Sequence, residues 1–142
     1  MEFNDLNKHQ AEAILITCID FRFHQAVLEY VKKNLAVDFD LLTIPGVAKN
    51  FALGNGLAQQ SKDIIKNVSL PLHHIKKIIL LNHWDCGGYG GSASFSAPEA
   101  EEQKYQADLK QAREILTNDF PELQVIIGYS KVQNGQLDFI IL

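Results

Sequence analysis

Four short runs of apolar residues punctuate the chain. They are Ala13–Cys18, Phe39–Ile44, Lys76–Asn82 and Leu123–Tyr129. Runs of this length with little alternation predict strands buried in a parallel sheet. The segments between them carry helical spacing. Phe23–Asn34 places Phe23, Val27, Tyr30 and Val31 on one face, as an amphipathic helix requires. Phe51–Val68 predicts a second helix, weakened early by Gly54 and Gly56. Pro98–Asn118 predicts a third, polar one. Pro98 sits near its first turn, and Glu99, Glu101 and Glu102 suit the helix dipole. Pro45-Gly46 stops the second strand, and His83–Ala97 is a Gly/Ser-rich loop. Asn134-Gly135 is a hairpin signal, followed by Gln136–Leu142 as an antiparallel edge strand.

Alternating strands and helices predict an α/β fold: three layers, α/β/α, around a mostly parallel sheet. Right-handed crossovers make 2-1-3-4 the simplest strand order, with the C-terminal strand added antiparallel beside the fourth. No repeat or linker divides residues 1–142, so a single domain is expected. In this order the first and third strands are neighbours and the chain changes direction between them. Ligands of open α/β sheets bind beyond the strand ends at such a switch point.

Composition narrows the function classes. Thirteen Lys and Arg against 17 Asp and Glu give a net charge of −4, which argues against nucleic acid as a partner. No apolar run is long enough to span a membrane, and Met1–Gln10 lacks the pattern of a signal peptide. A cytoplasmic chain with reduced thiols is the expectation. Its two cysteines are then to be read as buried, catalytic or metal-binding.

Both cysteines fall at the switch point. The first strand ends Thr17-Cys18-Ile19-Asp20-Phe21-Arg22, and the third ends Asn82-His83-Trp84-Asp85-Cys86-Gly87-Gly88. Either cysteine alone reads as a small buried hydrophobe, and the two could pair as a disulfide. Their convergence with His83 favours metal. Cys18, His83 and Cys86 supply two thiolates and one imidazole, a set that suits Zn2+ and leaves a fourth position open, as catalytic sites do. Asp20 and Arg22, two residues apart in extended chain, point the same way. They can form a surface pair worth under about 1 kcal/mol. Beside zinc, Arg22 can instead hold Asp20 off the open position, leaving Asp20 to orient the reacting water.

With these residues in place, the chain resembles the β-class carbonic anhydrases. The resemblance rests on Cys-x-Asp-x-Arg at Cys18, Asp20 and Arg22, and on His-x-x-Cys-Gly at His83, Cys86 and Gly87. The closing segment, Val125–Tyr129 through Asn134-Gly135 to Phe139, also looks like that family's final hairpin. The resemblance implies one Zn2+ per chain on Cys18, His83 and Cys86, and an Asp20–Arg22 catalytic dyad. It implies a carbonic anhydrase, a lyase that reversibly hydrates carbon dioxide to bicarbonate and a proton through zinc-bound hydroxide. It also implies a homodimer or higher homo-oligomer with the site near the subunit contact. The chain departs from the family at Ile44–Asn50, where an Arg-Asn-Ala-Gly stretch is usual, and it is compact.

Two alternatives keep the scaffold: a zinc hydrolase of carbonyl sulfide or carbon disulfide, and a non-catalytic zinc-binding protein. Expected pocket walls are Ile19, Phe21, Val47 and Trp84, and expected proton relays are His24, Asp85 and Tyr89. His73 and His74 precede the third strand and belong at the opposite end of the sheet. The apolar tail Phe139–Leu142 requires cover, from a second subunit or from a helix of the same chain.

Overall fold

The computed structural model describes all 142 residues. Its sheet contains β1 (Ala13–Thr17), β2 (Phe39–Thr43), β3 (Lys77–His83), β4 (Gln124–Gln133) and β5 (Gln136–Ile141), in the order β2-β1-β3-β4-β5. The first three pairings are parallel, and β4–β5 is antiparallel. This is the expected order. Every residue of β1 is buried, as are Ile78–His83 of β3, which explains why neither run alternates in polarity.

Side chains that alternate along these strands feed two apolar layers. On one face Ala13, Leu15, Ile79 and Leu81 meet Val27 and Val31 of α1 (His24–Asn34). On the other, Ile14, Ile16, Ile78, Leu80 and Ile127 pack under α2 (Ala48–Leu53), α3 (Gly56–Ile64) and α5 (Pro98–Asp119). Tyr105, Leu109, Ala112 and Leu116 form the buried stripe of α5, whose helical spacing lies within an otherwise polar segment.

The helix expected over Phe51–Val68 is divided. Gly54 adopts φ 63°, ending α2, and Asn55 starts α3 by accepting the Leu57 and Ala58 amides on its side chain at 3.1 and 3.2 Å. A left-handed glycine followed by an Asn cap is a stop and a start in consecutive residues. Beyond α3 the chain passes through a π turn at Ile65–Ser69 into α4 (Leu70–His73). Pro71 there has no amide to give to the preceding turn, and the wider π spacing accommodates it.

β4 runs four residues past its expected end at Tyr129, because the hairpin extends the pairing to Gln133 opposite Gln136. Asn134 and Gly135 take φ 52° and 74°, the positive values a two-residue hairpin turn demands. Helices of the same chain cover much of the apolar tail. Phe139 stacks on Tyr30 of α1 with ring centroids 4.1 Å apart. Arg113 of α5 donates to the Leu142 carbonyl at 3.1 Å. No helix is long and apolar enough to cross a membrane.

Candidate metal centre

Parallel pairing sets Thr17 of β1 beside Leu81 of β3, so both strands open at the same edge. Cys18 follows β1, His83 ends β3, and Cys86 lies in the next loop. Their ligand atoms lie within 4.8 Å of one another, and all three residues are buried. The two Sγ atoms are 3.8 Å apart and the thiols are free. A disulfide needs about 2.05 Å. Two sulfurs bound tetrahedrally to zinc, each about 2.3 Å from the ion, stand about 3.8 Å apart.

The histidine is prepared for the same role. Its Nδ1 lies 2.8 Å from the Trp84 carbonyl, which can only accept, so Nδ1 carries the proton and Nε2 presents a lone pair. That Nε2 is buried without a hydrogen-bond partner. Phe23 packs against the ring with centroids 4.3 Å apart. A buried, oriented and unpaired acceptor beside two thiols fits a metal ion.

The two thiols share a proton unequally. The Cys86 thiol donates to Cys18 and holds the Cys18 thiol well below its ordinary range, helped by the Gly46 and Asp20 amides. The Cys18 thiolate and burial push Cys86 the other way.

Asp20 stands at the rim, with Oδ2 3.8 Å from His83 Nε2. Arg22 grips it: Nη2 donates to Oδ2 at 2.6 Å, Nε to both oxygens at 3.0 and 3.1 Å, and the Arg22 amide to Oδ1 at 3.1 Å. These bonds hold the Asp20 carboxyl down to about 2. Asp20 does not join the group of three potential ligands. The expected pair thus forms, beside the Cys18–His83–Cys86 group.

The loop carrying Cys86 is fixed from α5 by contacts that sequence reasoning missed. The Asp85 amide donates to the buried Glu101 Oε1 at 2.8 Å, and Tyr105 Oη donates to the same oxygen at 2.7 Å. Tyr105 Oη accepts the Cys86 amide at 3.2 Å. The available signal was the four-residue spacing of Glu101 and Tyr105, which puts both on one helix face. The departure at Ile44–Asn50 also has a structural task. Gly46 and Gly88 touch backbone to backbone, since a Cβ at Gly88 would lie 2.6 Å from both Cα and N of Gly46. Lys49 Nζ donates to the Gly88 carbonyl at 2.8 Å. Between them Val47 is buried at φ 31°, an unusual value for a β-branched residue.

A cleft of about 400 Å³ opens over the rim, lined by Cys18, Ile19, Asp20, Phe21, Arg22, Pro45, Gly87 and Gly88. Ile19 and Phe21 line it as expected, and both are exposed. Val47 and Trp84 do not. Val47 belongs to the core, and Trp84 packs edge-on against Tyr105. His24 Nε2 lies 3.3 Å from the Cys18 carbonyl. Tyr89 is buried, and its hydroxyl accepts from Asn82 at 3.1 Å. Asp85 is tied to Arg22. A surface cavity of about 630 Å³ lies at the opposite end of the sheet, between Asn7–Glu12 and His74, away from the three potential ligands. His73 is also at that end, 2.8 Å from Asp40.

A family model described as "Putative carbonic anhydrase" matches residues 8–140. The chain belongs to this carbonic anhydrase-like family. An uncharacterized protein of Rickettsia conorii is 31% identical over 123 residues, covering 82% of this chain and 66% of its own length. An uncharacterized protein of Rickettsia bellii is 33% identical over 124 residues, covering 82% of this chain and 74% of its own length. The chain thus spans just under two thirds of the first relative. The family match and the buried Cys18–His83–Cys86 group point the same way: the group could hold a metal ion, as carbonic anhydrases do.

Proposed function

We propose that the chain is a zinc enzyme that reversibly hydrates carbon dioxide to bicarbonate and a proton. The observation that carries this reading is the placement of Asp20, 3.8 Å from His83 Nε2 yet held by Arg22 at 2.6 Å. With a metal on Cys18, His83 and Cys86, that arrangement would leave a fourth position for water beside a carboxylate that can only accept. Bound to Cys18, His83 and Cys86, zinc would supply Lewis-acid activation of water, bringing its ionisation toward neutrality.

The remaining work falls to the chain's own residues. Asp20, held ionised by Arg22, accepts a hydrogen bond from the reacting water and aims a lone pair at the substrate carbon. Ile19, Phe21 and Pro45 give the cleft an apolar wall, which suits a nonpolar gas. The Gly46 amide and the fixed Cys86 loop hold the sulfurs in place without reorganisation. Ile19 and Phe21 are 54% and 83% exposed beside the cleft, which supports cover by a second copy in a homodimer.

The test is stopped-flow carbon dioxide hydration at about pH 8.5, on protein of assayed zinc content, with Asp20→Ala alongside. Zinc near one per chain with turnover lost in the variant is the expected result. Zinc near one per chain without turnover would reject carbon dioxide as the substrate. Carbonyl sulfide and carbon disulfide would then be assayed by sulfide release.

A further inference from the structure

Arg22 serves two carboxylates. While Nε and Nη2 hold Asp20, Nη1 donates to Asp85 Oδ2 at 3.0 Å and Nη2 also reaches the Asp85 carbonyl at 3.2 Å. We propose that Asp85 is a positioning residue, which by anchoring the far edge of Arg22 keeps Asp20 from swinging into the open metal position. The proposal rests on the reading of Cys18, His83 and Cys86 as metal ligands.

Three observations carry it. The Arg22 side chain is 47% exposed, so packing alone does not fix it. The Asp85 side chain is equally exposed, at 46%, but hydrogen bonds and its backbone fix it. Its amide bonds the buried Glu101, its Oδ1 accepts the Ser92 amide at 2.8 Å, and its backbone sits at φ 55°. Gly91 opposite has no Cβ, and one placed there would come within 3.2 Å of that Oδ1. Finally, Asp20 is already close: its Oδ2 is 3.8 Å from His83 Nε2. Gripped only by Arg22, the Asp20–Arg22 pair could turn inward as a unit. Gripped through Arg22 by the loop that also carries Cys86, it cannot. Two fixed partners on opposite edges of a planar guanidinium leave it one orientation.

The test uses the full chain loaded with Co2+, and azide as an added ligand followed by the cobalt visible spectrum. An open position takes azide, and a position filled by Asp20 resists it. Asp85→Ala should weaken azide uptake roughly fivefold, the scale of one half-exposed charge-assisted bond. Asp85→Asn, which keeps a neutral contact, should fall between. The double variant Asp20→Asn/Asp85→Ala should regain wild-type uptake, which loss of a merely structural contact would not permit. If Asp85→Ala does not fold, Asp85→Asn and its double variant with Asp20→Asn carry the same comparison. Uptake within about twofold of wild type, or a double variant as weak as the single, overturns the role of Asp85. In that case weakened uptake in Arg22→Ala would show the Asp20–Arg22 reading intact. Wild-type protein that binds no cobalt defeats the metal-site reading and this proposal with it; bound cobalt that ignores azide leaves that reading standing and defeats this proposal alone.

Discussion

Gly88→Ala isolates the contact between the two loops of the site. Its Cβ would lie 2.6 Å from Cα and N of Gly46 and 3.1 Å from the Pro45 carbonyl carbon. Carbon atoms in contact sit about 3.5–4.0 Å apart, so one loop must retreat by about 1 Å. The obstacle is backbone on both sides, which a rotamer change cannot relieve. Overpacking of this kind costs about 1–3 kcal/mol. Unfolding entropy of about 2.1 cal/mol/K per residue gives roughly 0.3 kcal/mol/K for a chain of this length. A cost of about 2 kcal/mol therefore lowers the melting temperature by about 7 °C. The matched control is Gly87→Ala, where a Cβ meets nothing within 4 Å. Retreat of Gly46 also withdraws an amide that stabilises the Cys18 thiolate, so zinc affinity should fall with stability. Calorimetric melting of metal-free protein and competition with a chelator read the two effects. A Gly88→Ala melting temperature within about 2 °C of the Gly87→Ala control would refute the reasoning.

The dyad should be visible in acid. Arg22 holds Asp20 at about 2, so the carboxyl carbon of Asp20 should titrate there by NMR, and near about 4 in Arg22→Ala. Because the folded value is depressed, the stability Asp20 contributes is present above about pH 4 and lost as pH falls through 2. The difference in denaturation midpoint between wild type and Asp20→Asn should narrow across that window. The thiol pair predicts an absorbance. Metal-free protein at about pH 7 should show one thiolate per chain near 240 nm, and Cys86→Ala, which removes the donated hydrogen bond to Cys18, should abolish most of it.

The sheet was legible because its strands are short apolar runs whose order follows from handedness, and the convergence of Cys18, His83 and Cys86 because Cys18 and His83 close two of those strands. The Asp20–Arg22 pair forms as expected, though through a turn, in which the Phe23 amide bonds the Asp20 carbonyl at 3.2 Å, rather than through the extended chain assumed. The break at Gly54-Asn55 was underread. A glycine inside a helical pattern suggests mere weakening, and the following Asn shows its meaning only as a cap with both amides in reach. Glu101 was read only as an acid suiting the helix dipole, whereas it is 1% exposed and bonds the Asp85 amide. Helical spacing gives the face a residue occupies, but not which loop will be laid against it. The Pro45–Val47 turn was opaque for a related reason. Its backbone follows from close approach to Gly88, a partner more than forty positions away.

Cys18 and Cys86 are 68 residues apart in the chain, and only the pairing of β1 with β3 unites them. Closing a flexible loop of that length costs about 4 kcal/mol of chain entropy, and until it closes only the short-range pair His83 and Cys86 is at hand. Metal would thus bind far more weakly before the two central strands have joined, and it would reward their joining by mass action. An ion held there would act as a latch on the slowest kind of contact in the fold, parallel pairing between distant strands. A chain caught halfway through folding has no assembled Cys18–His83–Cys86 group to hold an ion.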